Sequence, residues 1–313
     1  MAINLSQLTS TRRLLFEVEV QPLQGQRFQP TGFPDLGPAT YQAGDSACLL
    51  LESAQSMANR LEETIWDTGS EQPIKDVAGI SYVVVNDEHG KYLTSSIVES
   101  HRMNSPYILE SKDKTFFNQL REELDVMEKG PINRRALANT LLKYDLNSLL
   151  HGIFLAKSDL AGGRLRLPRV ISSFIEAEGV QTAASGGVKN DHVDPQGDTA
   201  KGFGNVPFHR EEFTAEKITA YFNVDLQQIR AYGLGEDVEK LLTLLALYKI
   251  RSLLDGDLRL RTACDLEVKG DKVSARKPVG FELPSIDDLK ADLEAAIVAC
   301  KDKMEVSTVT YEK

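Results

Sequence analysis

From Arg13 to Val20 the chain alternates, with Leu14, Phe16, Val18 and Val20 on one side and Leu15, Glu17 and Glu19 on the other. That period of two predicts a half-buried strand. The next stretch, Gly25 to Gly44, carries Pro30, Pro34 and Pro38 with Gly25, Gly32, Gly37 and Gly44. Neither helix nor sheet should propagate through it, so it is expected to form a long shaped loop. With Asp45 as N-cap, Leu50, Ala54, Met57, Leu61 and Ile65 recur at helical spacing, while Glu52, Gln55, Ser56, Asn59 and Arg60 point away from that stripe.

Ile80 to Val85 and Tyr92 to Val98 read as two strands joined by a turn at Asn86 to Gly90. Two helices follow, one striped by Phe116, Leu120 and Leu124, the other by Leu137, Leu141 and Tyr144, separated by Gly130 and Pro131. Leu149 to Leu155 and Arg164 to Phe174 are strand-like. Gly179 to Pro207 has almost no apolar periodicity and reads as a long, flexible loop. Ile218 to Leu226 alternates as a strand, Val238 to Leu253 forms a helix closed by Gly256, and Leu258 to Val268 reads as one strand with sharply unlike faces. Ser285 and Asp288 resemble a capping box opening a helix striped by Leu289, Leu293, Ile297 and Cys300, which ends in a polar tail. Strand, helix, strands, helix, strand is the order of a ferredoxin-like, RRM-like β-α-β-β-α-β core. The expectation is therefore one elaborated α+β domain over residues 1–313 with large insertions.

A hydrophobic share of 42% in 313 residues is enough for a full core. The stretch from Met1 to Arg13 is polar and has no apolar segment for export, and no apolar run is long enough to cross a bilayer, so a cytoplasmic protein without a membrane partner is expected. Cys48, Cys264 and Cys300 are an odd number without close spacing, which favours reduced thiols over disulfides or zinc. The net charge of -10 argues against nucleic-acid binding unless cations are gathered locally. Screening acts over about 8 Å, so a basic groove can exist in an acidic protein.

Signs of catalysis are few. His89, His101, His151, His192 and His209 form no H-x-x-x-H pair, and there is no nucleophile elbow, phosphate-binding P-loop or full G-x-G-x-x-G. No cofactor, metal site or catalytic residue is expected. Asp191, His192 and Asp194 read as solvated loop, and Asp35 as a turn former. Lys201 to Phe208, including Phe203, resembles the first ribonucleoprotein motif, but Pro207 disfavours a central strand. Basic residues do gather: Lys157, Arg164, Arg166 and Arg169 surround Gly162 and Gly163, Arg27 sits in the first glycine loop, and His101 and Arg102 follow a strand. Glycine loops admit a sugar-phosphate backbone to main-chain amides, and Arg holds phosphates bidentately, which suits backbone grip without base reading.

The run Arg13–Val18, the loop Gln29–Gly37, the helix Glu52–Arg60 and the blocks Ser100–Arg102, Asn205–Phe208 and Leu258–Leu266 together resemble the Cas-seven backbone subunits of CRISPR effector complexes, most closely those of type I-G, formerly I-U. The resemblance spans nearly the whole chain. It implies a non-catalytic subunit that polymerises with copies of itself along a CRISPR RNA and supports target DNA pairing. Its other partners would be a guide-processing or capping subunit and a large subunit. Sequence readout is then delegated to base pairing. It makes residues 179–207 the candidate thumb, a hairpin that kinks the RNA. It also places RNA backbone against Arg27, Phe28, Gln29, Thr31 and Gly32, against Gln55, Asn59 and Arg60, and against His101, Arg102 and Asn104. Lys157, Arg164, Arg166, Arg169, Lys201 and Phe203 complete the expected RNA-binding set.

Two other readings compete. Asp35 could cleave target RNA with a metal ion, as an aspartate in the corresponding loop does in type III relatives. A ferredoxin-like protein binding only small molecules would instead purify as a monomer free of nucleic acid.

Overall fold

The computed structural model describes residues 3–33, 35–124, 131–256 and 258–312. Pro34 and Gly130, assigned above to a loop and to a helix boundary, lie outside these residues. Along the chain, β1 (Arg13–Pro22) is followed by the hairpin β2 (Thr40–Ala43) and β3 (Ser46–Glu52), then α1 (Ala54–Glu63). A second hairpin, β4 (Tyr82–Asn86) and β5 (Tyr92–Ser95), is followed, after a short helix at Pro106–Leu109, by α2 (Thr115–Leu124), α3 (Arg134–Tyr144) and α4 (Leu146–His151). A small ribbon of β6 (Ile153–Leu155) and β7 (Leu165–Leu167) leads to β8 (Ile171–Glu178), and a long one of β9 (Gln181–Lys189) and β10 (Val206–Thr214) leads to β11 (Lys217–Asp225). The chain closes with α5 (Glu236–Asp255), β12 (Arg259–Arg261), β13 (Cys264–Val268), β14 (Ala275–Lys277), α6 (Ile286–Cys300) and β15 (Val306–Thr310).

This is a mixed α+β protein. The main sheet runs β12-β13-β1-β11-β8-β3-β2, with β14 also on β1, and its pairs are antiparallel. β1 buries Leu14, Phe16, Val18 and Val20, as its alternation predicts, and β11 buries Ile218, Ala220, Phe222 and Val224 opposite them. Helices α1 and α5 pack against each other, α1 also meeting β8 and α5 also meeting β13 and α6. The stripe of α6 is buried, and Ser285 Oγ accepts from the Asp288 N–H at 3.2 Å, so the predicted cap forms. The three cysteines are buried and free. Among the described residues no helix is long and apolar enough to cross a membrane.

Several local expectations are corrected. Thr40 to Ala43 is a strand, and Leu50 belongs to β3 rather than to the first helix. The apolar run Cys48–Leu51 is paired on both edges, by β2 and β8, and the helix starts only after Ser53, whose Oγ accepts from the Ser56 N–H. Leu149 to His151 is the end of helix α4. Leu258 to Val268 is a hairpin, not one strand: Ala263 takes a φ of 61°, and the turn leaves Leu258, Leu260, Cys264 and Leu266 all buried, so the alternation survives the reversal. The polar tail contains β15, which runs parallel to β4. Within residues 179–207, residues 190–205 form a loop, while Gln181–Lys189 and residues 206–207 on either side of it belong to the paired strands of the β9–β10 ribbon. Main-chain pairing holds it, and it is exposed along most of its length, so no apolar period was needed to form it.

Candidate nucleic-acid interface

Helix α1 turns Glu62 into the protein, where its two oxygens accept from Arg102 Nε at 2.6 Å and Nη2 at 2.9 Å. Arg102 starts a short 3-10 turn with a φ of 52°, which aims its guanidinium inward and lets Nη1 donate to the Gly152 carbonyl at 3.2 Å. Asn147 on α4 donates to Glu62 at 2.7 Å and accepts from Lys249 Nζ of α5 at 2.6 Å. Lys249 Nζ also lies 3.0 Å from His151 Nε2. One polar chain thus ties α1, the Arg102 turn, α4 and α5 together inside the core.

Burial sets the proton affinities here. Loss of solvation draws Lys249 down to about 7, against the pull of Glu62, and the same cause, joined by the charge of Lys249, keeps His151 well below its usual value. Asp145, also buried, is raised to about 6 despite accepting a hydrogen bond from Ser148.

Above this network lies a groove of about 930 Å³ lined by Ser100, His101, Arg102, Asn104, Arg134 and Arg169, with the His151–Phe154 segment, Ala156 and the β7 residues Arg166 and Leu167. Among the described residues no carboxylate lines it. Among the described residues Arg134, Arg166 and Arg169 lack an ion-pair partner, and Arg169 Nη1 donates to the Ala54 carbonyl at 2.9 Å. Burial and the Arg102 charge lower the proton affinity of Arg169 from the usual arginine value. The groove therefore offers guanidinium groups to an anionic ligand in a protein that is acidic overall.

The structure brings His101, Arg102, Asn104, Arg166 and Arg169 together in this groove, Arg102 mainly as part of its floor. Asn104 Oδ1 is occupied by the Ala156 N–H at 3.0 Å. Other expected contacts lie elsewhere or are already engaged. Phe28 is a core residue, 1% exposed, whose main chain exchanges two 2.9 Å hydrogen bonds with Phe213. Gln29 donates to the Ala263 carbonyl and accepts from Arg261, and Arg27 pairs with Glu212 at 3.4 Å. Thr31 is half-buried and Gly32 exposed in the same loop.

Arg60 is a staple rather than a free grip. It pairs with the buried Glu52 at 3.3 Å and donates to the carbonyls of Arg259 and Leu260, fastening α1 to the β12–β13 hairpin. Gln55 and Asn59 are exposed on α1. Asn59 lines a separate pocket of about 420 Å³ with Trp66, Tyr92, Glu63, Glu71 and Glu99, whose acidic rim suits no phosphate. Lys157 pairs with Glu110, Lys201 with Asp198 at 3.5 Å, and Arg164 Nε donates to the Ala161 carbonyl at 3.1 Å. Phe203 is exposed beyond the ribbon strands. Asp35 sits in an exposed turn.

Sequence reasoning missed Arg134 and Phe154. Arg134 follows the Asn133 N-cap of α3, and Phe154 stands between the buried Ile153 and Leu155. An apolar triplet with an aromatic on its outward parity was the available signal.

Residues 14–182, more than half of the chain, match the model of the family described as CRISPR-associated protein GSU0053 (Cas_GSU0053). The chain belongs to that family, which is a Cas-seven family. Among solved structures, one chain titled as a CRISPR RNA-guided surveillance complex, pre-nicking, is similar at 14% identity with a TM-score of 0.43, over 86% of this chain and 80% of that one. No curated protein matches.

Proposed function

We propose that the protein is a CRISPR RNA-binding backbone subunit of a type I effector complex, gripping ribose-phosphate in the groove above the Glu62–Arg102 network. Copies of the chain line up along the guide, the β9–β10 ribbon serves as the thumb, the exposed bases pair with target DNA, and the assembly works in the cytoplasm as part of a type I-G complex. Family membership supports the CRISPR setting. The observation that carries the binding site is the cluster of Arg134, Arg166 and Arg169 in a groove that, among the described residues, no carboxylate lines.

The fold proposed for this role is an elaborated β-α-β-β-α-β core made of β1, α1, β8, β11, α5 and β13. Its support is the sheet order β13-β1-β11-β8, in which the first strand and the third to appear in the chain lie at the centre. That is the order expected when two β-α-β crossovers interleave.

Fluorescence anisotropy of the purified chain with labelled single-stranded RNA, across a salt series, tests the proposal. Affinity should fall linearly on a log–log scale, by about 0.7 per phosphate neutralised, and alike for unrelated sequences. A chain that binds no RNA at low salt contradicts it.

A further inference from the structure

Phe154 is 54% exposed although both of its chain neighbours are buried, so the β6–β7 ribbon holds a large ring out of the core. Arg166 is its direct partner across the ribbon and is exposed as well. Directly opposed residues of an antiparallel pair carry their Cβ atoms about 4.5–5.5 Å apart on one face, so the two side chains leave the ribbon on the same side. Both line the groove together with Arg134. Among the described residues Phe154 meets no other aromatic ring, and no carboxylate pairs with Arg134 or Arg166.

A ligand that satisfies this surface brings a flat π-face and negative charge within one residue's reach. An apolar protein segment brings the first without the second. An unpaired nucleotide brings both, because its base can leave the stack while its phosphates stay on the backbone. We infer that Phe154 is a stacking platform for one unpaired base of the bound RNA, with Arg134 and Arg166 holding the adjacent phosphates. The inference rests on the RNA-binding reading above and adds to it a base contact that is indifferent to base identity, since every base has a π-face.

The test compares the full chain with F154A, F154L and F154W, each titrated with labelled single-stranded RNA and with an abasic ribose-phosphate oligomer of equal length. F154A and F154L should weaken RNA binding about ten-fold, the scale of one lost base stack, and leave the abasic oligomer unaffected. F154W should keep the affinity and lose tryptophan emission when RNA is added. Unchanged RNA binding by F154A overturns the inference. So does an equal loss toward both oligomers, which marks a structural role, or a site that takes protein instead. If the unmodified chain binds neither oligomer, the RNA-binding reading itself fails; if it binds RNA without regard to Phe154, only the stacking assignment fails.

Discussion

Arg102 and Glu62 meet as a bidentate ion pair, Nε to Oε1 at 2.6 Å and Nη2 to Oε2 at 2.9 Å, with both side chains buried. Removing one member strands the other charge away from water, which costs about 3–5 kcal/mol. Arg102→Met is predicted to lower the unfolding free energy by about that amount. Replacing both residues by apolar ones should recover much of the loss. Urea unfolding of the three chains measures this, and a full-stability Arg102→Met chain would show that the pair does not hold the groove floor.

Arg60 and Arg134 separate grip from scaffolding. Arg134→Gln should leave stability unchanged within about 0.5 kcal/mol. It should also reduce the salt slope of RNA binding by about one phosphate contact, irrespective of RNA sequence. Arg60→Gln should do the reverse, lowering the melting temperature with the slope preserved, because Arg60 already spends its donors on Glu52, Arg259 and Leu260. Equal slopes for the unmodified and Arg134→Gln chains would remove Arg134 from the interface.

Lys249 predicts a stability signature on the alkaline side. In the folded protein it loses its proton near 7, whereas in the unfolded chain it holds it to about 10.4. Between those values the unfolded state binds more protons, so stability rises with pH through that window, and below it the penalty of the buried cation is felt in full. His151 and Asp145 titrate at lower pH, the first favouring folding as pH rises and the second as it falls. Calorimetry at pH 7, 8 and 9 should therefore show the unmodified protein gaining on Lys249→Met. Parallel melting curves would mean that Lys249 stays charged.

Asp35 gives a prediction about catalysis. It lies in an exposed turn, and a backbone subunit of the proposed kind holds the guide without cutting. Complementary RNA incubated with the assembled complex and a divalent cation should remain intact, with Asp35→Ala behaving identically. Cuts that vanish in Asp35→Ala would establish a nuclease.

Elements that hide one face could be read from the chain. The alternation of Leu14, Phe16, Val18 and Val20 and the stripe of Leu289, Leu293 and Ile297 each need a single buried side, and each forms where expected. Elements fixed by a distant partner could not. β15 forms on β4, and β2 forms on β3, by main-chain pairing that leaves little trace in residue type. The Leu258–Val268 segment misleads for a different reason, because a turn at Ala263 returns the same parity to the core. For the site, sequence shows a charge but not what neutralises it. Arg60, Arg102 and Lys157 look like available cations until Glu52, Glu62 and Glu110 appear beside them.

The root of the β9–β10 ribbon is held by the reciprocal hydrogen bonds between Phe28 and Phe213, and beside them Glu212 receives both Arg27 and Arg210. A beam clamped at one end is displaced least at the clamp and most at its far end. Any bending of such an arm would displace side chains near Glu212 least and Val188, Phe203 and Phe208, toward its far end, most. An object that must be met by the tip can vary in position without disturbing the body that carries the arm.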